Sequence, residues 1–407
     1  MSLQFITGNS GNGKTKYLFN RIVKEAKANP RDNYLVIVPE QFTMQTQRQL
    51  VDLSENKAIM NIDVLSFKRL AYRVFDELGI TNLTVLEETG KNLVLRKLAA
   101  QEADKLGVIG RNLNRIGYIS EVKSLLSELV QYNISPEELG RYIASGRLSD
   151  TLSDKLKDVL VLYEAFEKFM QDKYITAEEI LNVLSNVAEE SAILRNSVIA
   201  FDEFTGFTPI QNQLIKKLFV ISKKIYVTLT IDCREDIFKS RGMQELFDMP
   251  KRTVKSLTEM AAFYGIEVEE PIILDKNYRL AENEELSFME QQLFRKRRCS
   301  FKKAPKHIHI DCLRDPKQEL TKIARRINEL VRNENLRYRD IAIVTGDVNI
   351  YAGYVREIFD KYNIPYFIDA TQEILFHPFI EFIRSIPDIA AQNFSADAVF
   401  RLSLIHI

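Results

Sequence analysis

The chain has 407 residues, 45% of them hydrophobic and 28% charged, and its 56 basic side chains balance 56 acidic ones. This composition suits a soluble globular protein with room for two or three domains, and zero net charge removes any bulk-charge argument for binding nucleic acid or membranes, though not a local basic stripe. No apolar run reaches the about 18 residues of a membrane span, and no signal peptide opens the chain. Three cysteines, Cys233, Cys299 and Cys312, form no C-x-x-C pair. So sparse and odd a set predicts inert thiols in a reducing, cytoplasmic interior.

The first 80 residues alternate strand and helix. Leu3-Gln4-Phe5-Ile6 predicts a buried strand running into a glycine loop, and Tyr17, Leu18, Ile22 and Val23 follow at helical spacing. Tyr34-Leu35-Val36-Ile37-Val38 predicts a strand buried on both faces, and a further strand is expected over residues 62–67. This order implies a parallel sheet. From about residue 85 to 190 only long amphipathic helices are expected, with Leu93, Leu95, Leu98, Leu125, Leu126 and Leu129 on apolar stripes. Ser135-Pro136-Glu137-Glu138 is a helix start. Strands resume at residues 197–201 and 224–230. The expected plan is one sheet-bearing lobe from residues 1–84 and 191–295, interrupted by an all-helical insertion over 85–190.

A second α/β unit is expected over 296–407, with a strand at Ile308-His309-Ile310, a helix from Pro316 to about Arg332, and a buried strand over residues 340–344. The units are joined by Arg295-Lys296-Arg297-Arg298, Lys302, Lys303 and Lys306, the densest basic segment of the chain. It reads either as a solvated linker or as a contact to a phosphate backbone.

Gly8-Asn9-Ser10-Gly11-Asn12-Gly13-Lys14-Thr15 fits G-x-x-x-x-G-K-[ST] at every defined position, with a strand before it and a helix after it. Glycines let the backbone curl so that successive N–H groups face phosphate oxygens, and the helix start adds its positive dipole end. Lys14 is expected to reach the β and γ phosphates of a nucleoside triphosphate, and Thr15 to offer a hydroxyl to Mg²⁺. The strand Val198-Ile199-Ala200-Phe201 delivers Asp202 and Glu203 to the same sheet edge. Asp202 is expected to complete the metal site, and Glu203 to orient or deprotonate the attacking water. Glu40-Gln41 and Asp232 also follow strands, as coupling residues or plain loop polar groups. Arg279, in Asn277-Tyr278-Arg279, is either a transition-state cation or a surface arginine.

These residues resemble the AddB family, the second subunit of bacterial AddAB helicase–nucleases. The likeness is carried by residues 5–15, by Val38-Pro39-Glu40-Gln41-Phe42-Thr43, by residues 64–71, and above all by Phe201-Asp202-Glu203-Phe204-Thr205-Gly206-Phe207-Thr208-Pro209. It continues through residues 226–232, 277–279, 340–344 and 353–369. The resemblance implies a P-loop NTPase fold of superfamily 1 helicase type, with two RecA-like lobes and helical insertions. It implies ATP and Mg²⁺ as ligands, DNA ends and single strands as substrates, AddA as partner, and processing of double-strand breaks for recombinational repair. Chi recognition and a C-terminal nuclease domain with an iron–sulfur cluster belong to the family; the nuclease carboxylates and cluster cysteines are expected downstream of this chain.

By the same resemblance, single-stranded DNA is expected to cross Phe42, Thr43, Ser66 and Phe67, whose rings either stack on bases or belong to the core. The family often has Asp-Gly where this chain has Asp202-Glu203, which leaves hydrolysis open here. No glutamine segment precedes Gly8 to read adenine, so loose base selectivity is expected. Leu402-Ser403-Leu404-Ile405-His406-Ile407 departs from the family and reads as translated adapter sequence. Two other functional classes stay open: an autonomous DNA-stimulated ATPase or helicase, and a non-catalytic DNA-binding scaffold that ATP stabilises.

Overall fold

The computed structural model describes the whole chain except residues 82–83, 109–115, 146–147, 172–173, 296–298, 370–373, 375–376 and 406–407. The chain falls into two compact units, Met1–Lys303 and Ala304–Ile407. In the basic run, Lys296, Arg297 and Arg298 lie outside the described residues.

The first unit opens with β1 (Ser2–Gly8), α1 (Lys14–Ala28), β2 (Tyr34–Ile37), α2 (Thr43–Leu53), β3 (Ile62–Leu65) and α3 (Phe67–Leu78). The strand expected over residues 62–67 stops at Leu65. Ser66 turns extended and its hydroxyl accepts the Arg69 N–H at 3.3 Å, so Phe67 begins a helix instead of ending a strand.

The chain then enters the helical layer through β4 (Val85–Leu86), followed by α4 (Glu88–Gln101), α5 (Ile116–Gln131), α6 (Pro136–Ala144) and α7 (Asp150–Met170). It leaves through β5 (Ile175–Thr176), which pairs in parallel with β4. This two-residue stem is a strand pair in a stretch expected to hold only helices. Leu95, Leu98, Leu126, Leu139, Leu162 and Phe166 build a separate apolar core here. Leu93 is 63% exposed, because α4 buries Lys91, Leu95, Leu98 and Ala99 and position 93 falls off that face. Ser135 caps α6 through the Glu138 N–H, as its sequence predicts.

Next come α8 (Ile180–Val187), β6 (Val198–Phe201), α9 (Pro209–Ile221), β7 (Lys224–Thr230), α10 (Asp248–Phe263), β8 (Glu267–Val268), β9 (Ile272–Leu274) and α11 (Glu284–Gln292). The sheet order is β3-β2-β6-β7-β1, with β8 and β9 both on the outer side of β1, and all pairs are parallel. Parallel strands need both faces covered. Leu3, Phe5, Leu35, Ile37, Ile199 and Val227 pack under α3, α8, α9 and α10. Ile6, Tyr34, Val36, Ala200 and Tyr226 pack under α1 and α2. A helical layer therefore separates two runs of strands that close into one sheet, and all loops at one edge follow strand C-termini.

In the second unit, α12 (Pro316–Asn333) and α13 (Val348–Lys361) pack around Leu320, Ala324, Ile327, Ile358 and Phe359, and α14 (Pro378–Ala391) and α15 (Ala396–Ile405) follow. The strands expected at 308–310 and 340–344 do not form. A strand is stabilised by its hydrogen-bonded neighbours, and among the described residues of this unit there is no strand to supply one. Ile310 and Val344 are 94% and 92% exposed. Residues 402–405 continue α15, and 406–407 lie outside the described residues. No helix among the described residues is long and apolar enough to cross a membrane.

A buried ion pair clamps the helical layer to its stem. The Lys91 ammonium, 3% exposed, donates to both oxygens of Glu178 at 2.9 and 2.8 Å and to Glu88 at 2.9 Å. Burial works to raise the Glu178 carboxyl, but the Lys91 hydrogen bonds outweigh it and hold it below the usual glutamate range. Lys91→Ala should destabilise this layer by about 3 kcal/mol, read by thermal or denaturant unfolding, since it leaves the largely buried Glu178 carboxylate without its cation, while Glu88 keeps Lys123 at 2.6 Å. The depressed carboxyl stabilises fully above the ordinary glutamate range and loses that contribution as pH falls through its lowered value.

Candidate functional site

The carboxyl ends of β1, β6 and β7 converge on a cavity of about 780 Å³. The loop between β1 and α1 forms its floor. Gly13 caps α1 in the left-handed region, φ 79°, where a side chain would cost energy. Gly11, φ 87°, is overlaid so closely that a β-carbon there would lie 2.8 Å from both the Arg279 β-carbon and the Asn277 side-chain oxygen.

That cover is a strap after β9. Asn277 Nδ2 donates to the Ser10 carbonyl at 2.9 Å, the Tyr278 N–H to the Gly11 carbonyl at 3.0 Å, and Arg279 Nη1 to Ser10 Oγ at 3.5 Å. Tyr278 and Arg279 stay exposed and line the cavity with Ser10, Gly11, Gly13, Lys14 and Thr15. Gly8, Asn9 and Asn12 lie behind the loop. Asn12 Nδ2 donates to the Leu274 carbonyl at 2.6 Å, and Asn9 Nδ2 to Glu290 at 2.7 Å.

Lys14 Nζ donates to the carbonyls of Gly8 at 3.1 Å and Asn9 at 3.0 Å, folded back over its own loop. Burial lowers its pKa; the charges of Asp202 and Glu203 oppose that shift. An ammonium so placed lacks a full anionic partner.

β7 lies between β1 and β6, so Thr228 stands beside Asp202. The Thr228 hydroxyl donates to Asp202 Oδ1. Asp202 is 1% exposed and its Oδ2 has no hydrogen-bond partner. Burial pushes its carboxyl up, the Thr228 hydrogen bond pulls it down, and Glu203 next to it pushes it up again. The Thr15 hydroxyl reaches Glu203 Oε1 at 3.4 Å. A buried carboxylate oxygen without a donor, next to a threonine hydroxyl in an oxygen-rich pocket, is a donor set that suits a small hard cation. No group of three or more His, Cys, Asp or Glu side chains among the described residues forms any other metal site.

Glu203 itself has φ 63°, in the left-handed region. The cause lies on either side. Asp202 is drawn toward Thr228, while Phe204 turns into an aromatic cluster with Phe67, Phe201 and Phe207, centroids 5.3–6.4 Å apart. The backbone between them bends left-handed and leaves the Glu203 carboxylate exposed over the cavity.

The expected DNA-contact surface needs correction. Phe67 is 7% exposed inside that aromatic cluster and presents no free ring. Ser66 is buried, donating its hydroxyl to Glu40 while capping α3, and Thr43 is buried with its hydroxyl donating to the Glu40 carbonyl at 2.9 Å. Phe42, half-buried, lines the phosphate-loop cavity. These four side chains brace the carboxyl edge of the sheet; they do not form a stacking platform. Glu40 is a brace too, with Ser66 and Arg69 holding its carboxyl below the usual range. Asp232 is 1% exposed between Arg234 and Arg295. Burial works against its charge, but these guanidinium groups, Arg234 foremost, hold its carboxyl at about 2. The strap residues Asn277 and Tyr278, Thr228 and Glu290 are functional positions that sequence reasoning missed. Asn277, Tyr278 and Glu290 touch the loop from as many as 281 residues away and Thr228 touches Asp202, beyond any local signal, although Asn277 and Tyr278 flank the arginine already singled out.

Comparison with known proteins places the chain among relatives. The family model described as ADDB, N-terminal matches residues 5–290. The chain is 38% identical over 406 residues to the AddB subunit of the ATP-dependent helicase/deoxyribonuclease of Lachnoclostridium phytofermentans, covering 98% of this chain and 35% of that protein. It is 33% identical over 410 residues to the protein of the same name in Clostridium tetani, at the same coverage of 98% and 35%. Against the one in Clostridium acetobutylicum it is 33% identical over 403 residues, covering 98% and 34%. The chain spans about a third of the length of the curated relatives it matches.

The left-handed backbone at position 203 generates a prediction. Glu203→Gly should stabilise the fold by about 1 kcal/mol, because glycine takes this conformation without the cost a side chain pays and the Glu203 side chain packs against little. Chemical denaturation measures the difference; a loss of stability would show that the carboxylate itself holds the loop.

Proposed function

The chain belongs to the ADDB family, and on that premise we propose that it is the ATP-binding part of a helicase–nuclease subunit that processes DNA ends. The single observation that carries the nucleotide reading is the buried, unpartnered Asp202 Oδ2, which shares one cavity with Lys14, Thr15 and the N-terminus of α1. In this reading the fold is a P-loop NTPase of superfamily 1 helicase type, residues 1–84 and 191–295 form the first RecA-like lobe, and residues 296–407 begin the second.

Bound ATP supplies the phosphoanhydride bond, and Mg²⁺ supplies charge to its oxygens. Thr15 and Asp202 would hold the metal. The chain's own groups do the rest. Lys14 exchanges the carbonyls of Gly8 and Asn9 for phosphate oxygens, gaining the anionic partner its burial demands. The first turn of α1 faces the phosphates with free N–H groups. Glu203, exposed above Thr15, orients a water and accepts its proton. Arg279, fixed by the strap over Ser10, would offer positive charge to the phosphate oxygens on which negative charge builds as the β–γ bond breaks, and Tyr278 would give the base a flat face. A carboxylate kept at a strained backbone position favours turnover over a purely structural ATP.

The names of the relatives support two further proposals: deoxyribonuclease action suggests DNA as substrate, and being named as one subunit of an enzyme suggests a partner subunit; we take that partner to be AddA and the compartment to be the cytoplasm. Break processing in recombinational repair is the setting that fits both. Steady-state ATPase with and without single-stranded DNA separates the alternatives. DNA-stimulated turnover by this chain alone marks an autonomous motor, and binding without turnover even with AddA and DNA marks an ATP-stabilised scaffold.

Lys14→Ala should weaken ATP binding at least about tenfold, or about 1.4 kcal/mol, in a calorimetric titration, with melting temperature retained; equal affinity would remove the phosphate-loop reading. Asp202→Ala should weaken binding of Mg-ATP. Glu203→Gln should leave binding intact and slow hydrolysis, because a water-orienting group acts on the transition state. A Glu203→Gln variant that turns over like its parent excludes Glu203 from the chemistry.

A further inference from the structure

α11 is held to the lobe by polar contacts. Among its nine residues only Glu285 is fully buried; Leu286 and Phe288 are half-buried, and the Phe288 ring packs on Phe301 at 5.3 Å. In addition, Glu290 Oε1 accepts the Asn9 Nδ2 hydrogen at 2.7 Å, and the Gln291 carbonyl accepts from Arg234 Nη2 at 3.1 Å. Arg295, just beyond the helix, binds Asp232 Oδ2 through Nε and Nη2, both at 3.0 Å, and lies 3.9 Å from Glu290 Oε1.

The partner of Glu290 is the second residue of the phosphate loop. Asn9 is 5% exposed and its side chain is fully committed: Oδ1 accepts the Cys233 N–H at 3.0 Å while Nδ2 donates to Glu290. The Asn9 carbonyl is where Lys14 rests at 3.0 Å. One residue therefore joins the ammonium that faces the cavity to the carboxylate on α11. A hydrogen bond from an amide to a carboxylate in a half-buried place is strong enough to set the loop and to tie α11 to it.

We propose that Glu290 is a positioning residue of the phosphate loop, and that through Asn9 it makes the docking of α11 respond to the nucleotide. This rests on the nucleotide reading given above. A phosphate held by the loop N–H groups and Lys14 fixes the Asn9 backbone, whose carbonyl keeps the Asn12 N–H at 3.2 Å, and so steadies the side chain held between Cys233 and Glu290. Binding and α11 docking are then linked, and each strengthens the other by the same factor.

The test uses the whole chain with Mg²⁺ and a non-hydrolysable ATP analogue. Amide hydrogen exchange across residues 284–292 is followed with and without nucleotide, beside a calorimetric titration. In the parent, nucleotide should slow exchange in α11. Glu290→Ala should bind about tenfold more weakly, since one hydrogen bond to a charged group is lost, and α11 should exchange fast whether or not nucleotide is bound. Glu290→Gln keeps a side-chain carbonyl to accept from Asn9 and should restore most of both effects, which a general loss of packing would not allow. The proposal fails if α11 exchange in the parent ignores bound nucleotide, if Glu290→Ala binds and protects as the parent does, or if Glu290→Gln is as damaging as Glu290→Ala. A parent that binds no nucleotide overturns the nucleotide reading along with this one, whereas binding without an α11 response overturns this one alone.

Discussion

A carboxylate taken out of water at the end of a strand organises the first unit. Removing a charge from solvent costs several kcal/mol unless it gains donors, a cation or a proton. Asp202 is 1% exposed, and while the Thr228 hydroxyl on the adjacent strand donates to its Oδ1, its Oδ2 has no hydrogen-bond partner. The sheet order supplies that neighbour by setting β7 between β1 and β6. The same order brings Lys14 and Thr15, at the start of α1, to the one face of Asp202 that stays unsatisfied. The bend at Glu203 and the aromatic cluster behind it follow, since the chain must leave Asp202 pointing one way and bury Phe204 and Phe207 the other.

The glycine-rich loop between β1 and α1 depends in turn on a second constraint, the strap that follows β9. Glycines in such loops are usually explained by the ligand that approaches them. Here Gly11 is needed before any ligand arrives, because Asn277 and Arg279 already occupy the space a β-carbon would take. The strap presents Arg279 and Tyr278 to the cavity and ties the loop to the outermost strand. On the side away from the cavity Asn9 and Asn12 are committed to Glu290 and Leu274. The loop is thus pinned from both sides, while its cavity face keeps Lys14 and the helix start available. Rigid support around a few unsatisfied groups is what a preorganised anion site requires.

The second unit shows the limit of reading strands from apolar runs. Residues 341–344 have the composition of a buried strand, and Ile343 and Val344 are 44% and 92% exposed. β-propensity describes fit to a pleated surface that neighbours provide, and among the described residues here no strand provides it. The helix α12 forms where expected, and α13 forms over a stretch the sequence reading left unassigned, because a helix satisfies its own backbone and needs only one apolar face to pack.

The sequence alone determined what depends on neighbours in the chain: the glycine-rich turn from a strand into a helix at residues 8–15, the strands β1, β2 and β6, the capped start at Pro136, and the placing of Asp202 and Glu203 at a strand end. Periodicity and capping are short-range, so these features were legible without a fold. Only the tertiary structure decided which of the edge residues meet. It moved Phe67, Ser66 and Thr43 from an imagined DNA surface into the brace behind the sheet, placed Thr228 beside Asp202, and drew Asn277, Arg279 and Glu290 onto a loop more than 260 residues earlier. The physical reason is that burial and hydrogen-bond satisfaction are set by strand order and close approach in space, and neither leaves a mark at the spacing of residues along the chain.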